Sequence, residues 1–214
     1  ELIEHSAMSA FWNGGQNCSA NMRQLIAAPL VDEFTGLILE RVKRFKLGDP
    51  LDPKTDIGSM ITKDHKEMVM NYIQSGVDEG AKMLMGGESD VPGYFIKPTV
   101  FENITPEMKI AREEIFGPVL GIMPVKNAEE ALRIASDTDY GLHATVFTQN
   151  IDQALHMARS LPCGTVSVNG FSEGDIKTPF GGYKQSGSLA RDNGTEAIEQ
   201  YLQTKTIWVQ TKPG

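Results

Sequence analysis

Apolar positions in the opening stretch, Leu2, Ile3, Ala7, Ala10 and Phe11, follow a helical spacing, which predicts a helix over residues 2–11. Asn13-Gly14-Gly15-Gln16-Asn17-Cys18 then reads as a turn, and a helix is expected from Ser19 to about Ala27. After Pro29, the residues Leu30, Phe34, Leu37, Ile38, Arg41 and Val42 fall on or near one helical face, predicting a helix from about Leu30 to Phe45. A turn-rich connector, Leu47 to Pro53, leads to a helical pattern from Thr62 to Gly80. Lys82 to Met85, before Gly86-Gly87, is a short strand candidate, and Tyr94 to Val100 reads as extended but broken by Pro98.

The second half is more regular. Val119 to Val125 is an apolar strand, and Asn127 with Glu130 three residues on forms a capping pair that opens a helix. Ala144 to Thr148 is the next strand, Asn150 with Gln153 repeats the cap before a helix to Leu161, and Thr165 to Val168 is a third strand. Strand, helix, strand, helix, strand predicts a βαβαβ unit with parallel strands, buried on both faces because the strands are nearly all apolar. Phe171 to Asn193, rich in glycine and polar residues, is a long loop of the kind that usually carries function. A helix from about Thr195 to Tyr201 and a strand from Lys205 to Gln210 close the chain. That last strand has no evident partner within it.

Composition trims the possibilities. With 214 residues, 40% hydrophobic and 22% charged, the chain is an ordinary globular one with enough apolar surface for a core. No apolar run approaches a membrane span. Lys+Arg 20 against Asp+Glu 28 gives a net charge of −8 without a basic, aromatic-interleaved patch, which argues against nucleic acid and membrane surfaces as partners. Two cysteines make no disulfide framework, so a reducing, cytoplasmic setting is expected. The chain begins at Glu1 with an uncapped helix, which reads as a cut end inside a larger fold.

Cys18 is the first chemical candidate. At a helix N-terminus, as the pattern predicts, a thiol would be activated and the Cys18 N–H could hold a developing oxyanion; the plainer alternative is a small buried apolar residue. Cys163 lies at a loop-to-strand junction and reads as structural. His5, His65, His143 and His156 show no ligand spacing, so no metal site is expected, and neither GxGxxG nor a P-loop occurs. Glu113-Glu114-Ile115-Phe116-Gly117-Pro118 sets a carboxylate near an aromatic just before a strand. It could take ribose hydroxyls and a flat ring, or be a solvated helix end. The glycine turn Pro179-Phe180-Gly181-Gly182 could line a pocket or only reverse the chain.

Taken together, these segments resemble the NAD(P)-dependent aldehyde dehydrogenase superfamily. Gly15-Gln16-Asn17-Cys18-Ser19-Ala20 is similar to its active-site cysteine motif and Glu114-Ile115-Phe116-Gly117-Pro118-Val119 to its second signature. Asn127 to Ala131, Asp139 to Leu142, Val168-Asn169 and Pro179 to Gly182 continue in the family's order, so the match runs from about residue 2 to 210. The resemblance implies an α/β fold: a three-layer catalytic domain over residues 1–200, with a mostly parallel twisted sheet flanked by helices. Residues 201–214 would be an oligomerisation strand and tail. It implies that Cys18 attacks an aldehyde, that hydride passes to NAD or NADP, and that the resulting thioester is hydrolysed. Glu114 and Phe116 would contact the cofactor. Trp12, Asn17, Ser19 and Phe180 would line the aldehyde channel, under a mouth loop from Phe171 to Lys177. On that loop the acidic Glu173 and Asp175 could attract a cationic aldehyde, such as an aminoaldehyde or betaine aldehyde, or be simply solvated, and the loop resembles that of bacterial enzymes oxidising γ-glutamylaminobutyraldehyde.

The family's cofactor-binding domain and general-base glutamate precede the cysteine motif and lie outside this sequence. The chain is therefore expected to be the catalytic half of a larger homodimer or homotetramer, working with its own N-terminal domain and inactive alone. A non-catalytic oligomerisation module and a thiol esterase are the competing readings. Ser188 to Asp192 is one residue longer than the commoner family pattern, which leaves a role for Asp192 open.

Overall fold

The structure, a computed structural model, describes residues 1–212. Helix α1 (Leu2–Phe11) turns Ala7, Ala10 and Phe11 inward. It ends in a tight turn where Asn13, Gly14 and Gly15 are successively left-handed, at φ 52°, 64° and 69°. Asparagine and glycine are the residues that tolerate this backbone, so the Asn-Gly-Gly triplet is what stops the helix.

The helix expected from Ser19 to Ala27 does not form. Residues 17–20 make a turn closed by Ala20 N–H donating to Asn17 O at 3.0 Å, and Arg23–Ala27 is a strand, β1. Five residues are too few for a period to separate helix from strand, and a ready partner decides: β1 runs parallel to Gly121–Val125 over its whole length. After Pro29 the chain forms α2 (Val31–Val42), whose buried face is Phe34, Ile38 and Val42. Leu30 and Leu37, expected on that face, are instead about half exposed, at 54% and 50%. Helix α3 (Lys63–Asp78) begins where Thr62 Oγ1 accepts the His65 N–H at 3.1 Å.

Strands β2 (Lys82–Glu88) and β3 (Ile96–Glu102) form an antiparallel pair. Pro98 does not break β3. The partner strand absorbs it: the register shifts between Met85 and Gly87, and Gly86 sits at φ 109°. A Cβ there would lie 2.4 Å from Thr99 Cα, so only glycine fits this approach. A short helix α4 (Lys109–Arg112) precedes β4 (Val119–Val125), which completes a four-stranded sheet of order β1-β4-β3-β2, with β1, β4 and β3 mutually parallel. Val119, Met123 and Val125 enter one core with Val69 and Ile73 of α3; Leu120 and Ile122 enter the other with α1 and α2. Alternate residues of one strand thus fill two cores, the expected property of a sheet covered on both faces.

Both predicted caps form: Asn127 Oδ1 accepts the Glu130 N–H at the head of α5 (Ala128–Ser136), and Asn150 Oδ1 accepts that of Gln153 at α6 (Ile151–Ser160). The two-residue strand β5 (Tyr140–Gly141) pairs with β8 (Tyr183–Lys184), and β6 (His143–Val146) pairs in parallel with β7 (Thr165–Val168). The βαβαβ unit is therefore divided. Its last two strands form their own parallel pair, and β4 lies instead between β1 and β3. Residues 171–195 are mostly irregular, and α7 (Glu196–Glu199) is one turn. Residues 203–212 carry no helix or strand, and Ile207, Trp208 and Val209 are exposed; among the described residues they pair with no strand. The last two residues of the expected oligomerisation segment, 213–214, lie outside the described residues. No helix among the described residues is long and apolar enough to cross a membrane.

Candidate active site

The left-handed turn that ends α1 brings Gly15 backbone-to-backbone against Gly117. A Cβ on Gly15 would fall 2.1 Å from the Gly117 carbonyl oxygen, a contact that glycine alone permits. Gln16 pins the same turn from behind: its Nε2 donates to Ser59 O at 3.4 Å and its Oε1 accepts the Ile61 N–H at 2.9 Å. The two sequence motifs, 15–20 and 114–119, are thus joined at their glycines.

Cys18 projects from this turn and is exposed. It does not stand at a helix N-terminus, so the dipole expected to activate it is not there. What surrounds it is a side-chain amide. Asn17 Oδ1 accepts the Ser19 N–H at 3.2 Å and lies 3.8 Å from Cys18 Sγ, while Asn17 Nδ2 donates to Glu173 Oε1 at 3.0 Å. The Cys18 N–H has no partner among the described residues, which leaves it available to a carbonyl oxygen. Ser19 is buried, and its hydroxyl has no partner among the described residues.

A cleft of about 1090 Å³ is lined by β1, whose second edge has no ladder partner among the described residues, and by β6; Cys18, Gln24, Phe34, Glu114, Leu142 and Cys163 help line it. Cys18 and Glu114 are thereby brought to one space. Glu114 makes no hydrogen bond among the described residues, and partial burial alone pushes its carboxyl above the usual range. Although exposed, this carboxylate has no donor among the described residues, so its oxygens are available to hydroxyl groups. Its neighbour Glu113 is taken, accepting from Tyr72 Oη at 2.8 Å. Phe116 is left-handed at φ 54°, its carbonyl 2.7 Å from His65 Nε2, and its ring meets the His65 ring edge-on at 6.1 Å.

The other expected site residues are more dispersed. Trp12 is exposed beside the cysteine turn, and Phe180 is half-buried in a two-bond bridge to Asp192; neither lines the cleft, nor do Asn17, Ser19, Phe116, Glu173 and Asp175. Asp175 shapes its own loop, with Oδ1 accepting the Lys177 N–H at 2.9 Å. Cys163 is half-buried and burial pushes its thiol up, in keeping with a structural role.

His143 is the residue that sequence reasoning passed over. Its Nε2 lies 2.9 Å from Ser172 O, its Nδ1 3.3 Å from Asn21 Oδ1, and its ring is edge-on to Phe171 at 5.4 Å. It fastens the mouth loop to β6. Burial holds its pKa below the ordinary value, opposed by the Ser172 carbonyl and the charge of Glu173. No spacing rule pointed to it, because its partners lie 122 and 29 residues away.

Fold and site define a mostly parallel α/β domain that presents an exposed thiol and a donor-free carboxylate to one cleft. The family model for the aldehyde dehydrogenase family matches residues 1–207. Aminoacetaldehyde dehydrogenase of Pseudomonas aeruginosa is 39% identical over 208 residues, covering 97% of this chain and 42% of that protein. Aldehyde dehydrogenase 1A1 of Gallus gallus is 43% identical over 211 residues, covering 98% and 41%. Among solved structures, the aldehyde dehydrogenase KauB from P. aeruginosa superposes with a TM-score of 0.93 at 41% identity, over 98% of this chain and 43% of that one. Betaine aldehyde dehydrogenase from Staphylococcus aureus, in complex with NAD+, gives 0.94 at 35% identity, over 99% and 43%. The chain belongs to the aldehyde dehydrogenase family. It spans about two fifths of the length of these relatives, and 24% of that of the cytosolic 10-formyltetrahydrofolate dehydrogenase of Xenopus tropicalis, to which it is 42% identical.

Proposed function

We propose that the chain is the catalytic part of an NAD(P)-dependent aldehyde dehydrogenase, with Cys18 as its nucleophile. The observation that supports this most is the Gly15–Gly117 contact, which sets the thiol turn and the Glu114 turn on one cleft. Cys18 gives its thiol proton to solvent and its Sγ attacks the carbonyl carbon, the C–S bond forming as the carbonyl π pair moves to oxygen; that pair re-forms the C=O bond when the hydride leaves. The Cys18 N–H, unpartnered among the described residues, donates to that oxygen. A bound nicotinamide supplies the acceptor for the hydride that leaves this carbon. Glu114 would hold its ribose hydroxyls, which fits a carboxylate lacking other donors, and Phe116 would stand beside the ring. Water then cleaves the Cys18 thioester, releasing a carboxylic acid and restoring the thiol.

Of the two alternatives, an esterase needs no Glu114 and an oligomerisation module needs neither residue. As substrate, an aldehyde carrying a positive charge suits the exposed mouth-loop acids Glu173 and Asp175. An N-terminal cofactor domain and self-association through residues 201–214 belong to the same reading.

The test is aldehyde-dependent reduction of NAD or NADP by this chain joined to the cofactor domain of a relative. Cys18→Ala is expected to abolish turnover, and Glu114→Gln to raise the KM for the cofactor. The pair Glu173→Gln with Asp175→Asn is expected to weaken use of amino-aldehydes more than of neutral ones. Full turnover by Cys18→Ala would refute the assignment, and equal losses on both substrates would refute the charge preference.

A further inference from the structure

The mouth loop reaches the thiol turn through one hydrogen bond between residues 156 positions apart, Asn17 Nδ2 to Glu173 Oε1 at 3.0 Å. A carboxamide has one donor end and one acceptor end, so whatever holds one end decides what the other presents. Here both partners are unambiguous. A carboxylate demands the amino group, and the Ser19 N–H, 3.2 Å away, demands the oxygen. The Asn17 oxygen is therefore the end that faces Cys18 Sγ, at 3.8 Å, where it can accept the thiol proton.

Glu173 is itself carried by a preshaped loop. His143 Nε2 holds the preceding carbonyl, Ser172 O, at 2.9 Å, and the Gly174 N–H donates to Ser172 Oγ at 3.1 Å.

We propose that Glu173 is a positioning residue that acts through Asn17, locking the carboxamide oxygen, rather than its amino group, onto the Cys18 thiol. The assignment rests on reading Cys18 as the reactive thiol, and it gives Glu173 a task that is separate from attracting a charged substrate. In the locked arrangement the S–H is engaged and the sulfur is held back. When Glu173 lets go, only the Ser19 N–H still orients the carboxamide, and the restraint on the thiol is loosened.

The experiment is alkylation of the full chain by iodoacetamide, a neutral reagent that needs no cofactor, with Cys18 and Cys163 rates read separately by mass mapping. Glu173→Ala should speed Cys18 labelling about fivefold, the scale of one hydrogen bond, and leave Cys163 unchanged. Glu173→Gln removes the charge but keeps an oxygen that can accept from Asn17 Nδ2, and it should stay within about twofold of wild type. Asn17→Ala should release the thiol by itself, and adding Glu173→Ala to it should change nothing further.

Three results would overturn the proposal: no acceleration in Glu173→Ala; an equal acceleration in Glu173→Gln, which would make charge the cause; or a persisting effect of Glu173→Ala in the Asn17→Ala chain, which would make loop opening the cause. Cys18 labelling slower than Cys163 in wild type would count against the thiol reading, and the ratios among the variants would still decide the lock.

Discussion

Two loops meet at Cys18, and they are held in different ways. The inner turn, residues 12–20, is fixed by backbone geometry: three left-handed residues, a glycine pressed on the Gly117 carbonyl, and Gln16 bridging to Ser59 and Ile61. The mouth loop, residues 171–177, is largely exposed and held mainly by side-chain bonds from His143, His5, Asn17 and its own Asp175, with one backbone bond from the Gly194 N–H to Ile176 O at 2.9 Å. Backbone contacts of the first kind tolerate almost no change, whereas side-chain bonds of the second kind can be remade. The difference teaches where the site is rigid and where it adjusts. The thiol's location is built into the fold, and its immediate polar partner, Asn17 of the same turn, is in turn held by Glu173 of the adjustable loop.

The largest effect expected from breaking this division is at the inner turn. Gly15→Ala places a Cβ at φ 69° and 2.1 Å from a backbone oxygen, which cannot move as a side chain would. We expect a loss of about 3 kcal/mol, a fall in the unfolding midpoint of roughly 6–12 °C, and displacement of Cys18. Calorimetry checks it. An unchanged midpoint would mean the two motifs are not locked at their glycines.

A smaller, pH-dependent effect is expected at the mouth loop. Burial holds His143 below its ordinary pKa of 6.5, so as pH falls the unfolded chain takes up that proton before the folded one does. Stability from this group is therefore lost progressively from about pH 6.5 downwards, and it is fully present above. Urea midpoints of wild type and His143→Asn should converge as pH falls from ~7.5 to ~5. Parallel curves would show that the ring does not carry the loop.

Much of the fold was legible because its signals are local. The caps at Asn127 and Asn150 and the apolar run of Val119–Val125 announce their elements within a few residues. Residues 19–27 misled because a short mixed stretch takes its structure from a distant partner, β4. The division of the βαβαβ unit was hidden for the same reason: periodicity identifies strands but not their neighbours. At the site, Cys18 and Glu114 were readable as motif residues. The Asn17–Glu173 bond and the role of His143 were not, since each joins positions far apart in sequence. The helix-dipole expectation for Cys18 failed together with the helix it required.

The central claim is that Cys18, and not Cys163, is the reactive thiol of this cleft. Competitive iodoacetamide labelling of the wild-type chain at neutral pH tests it directly. Cys18 is exposed, while Cys163 is half-buried with its thiol pushed up, so Cys18 should be modified about tenfold faster. Equal rates, or faster labelling of Cys163, would contradict the account.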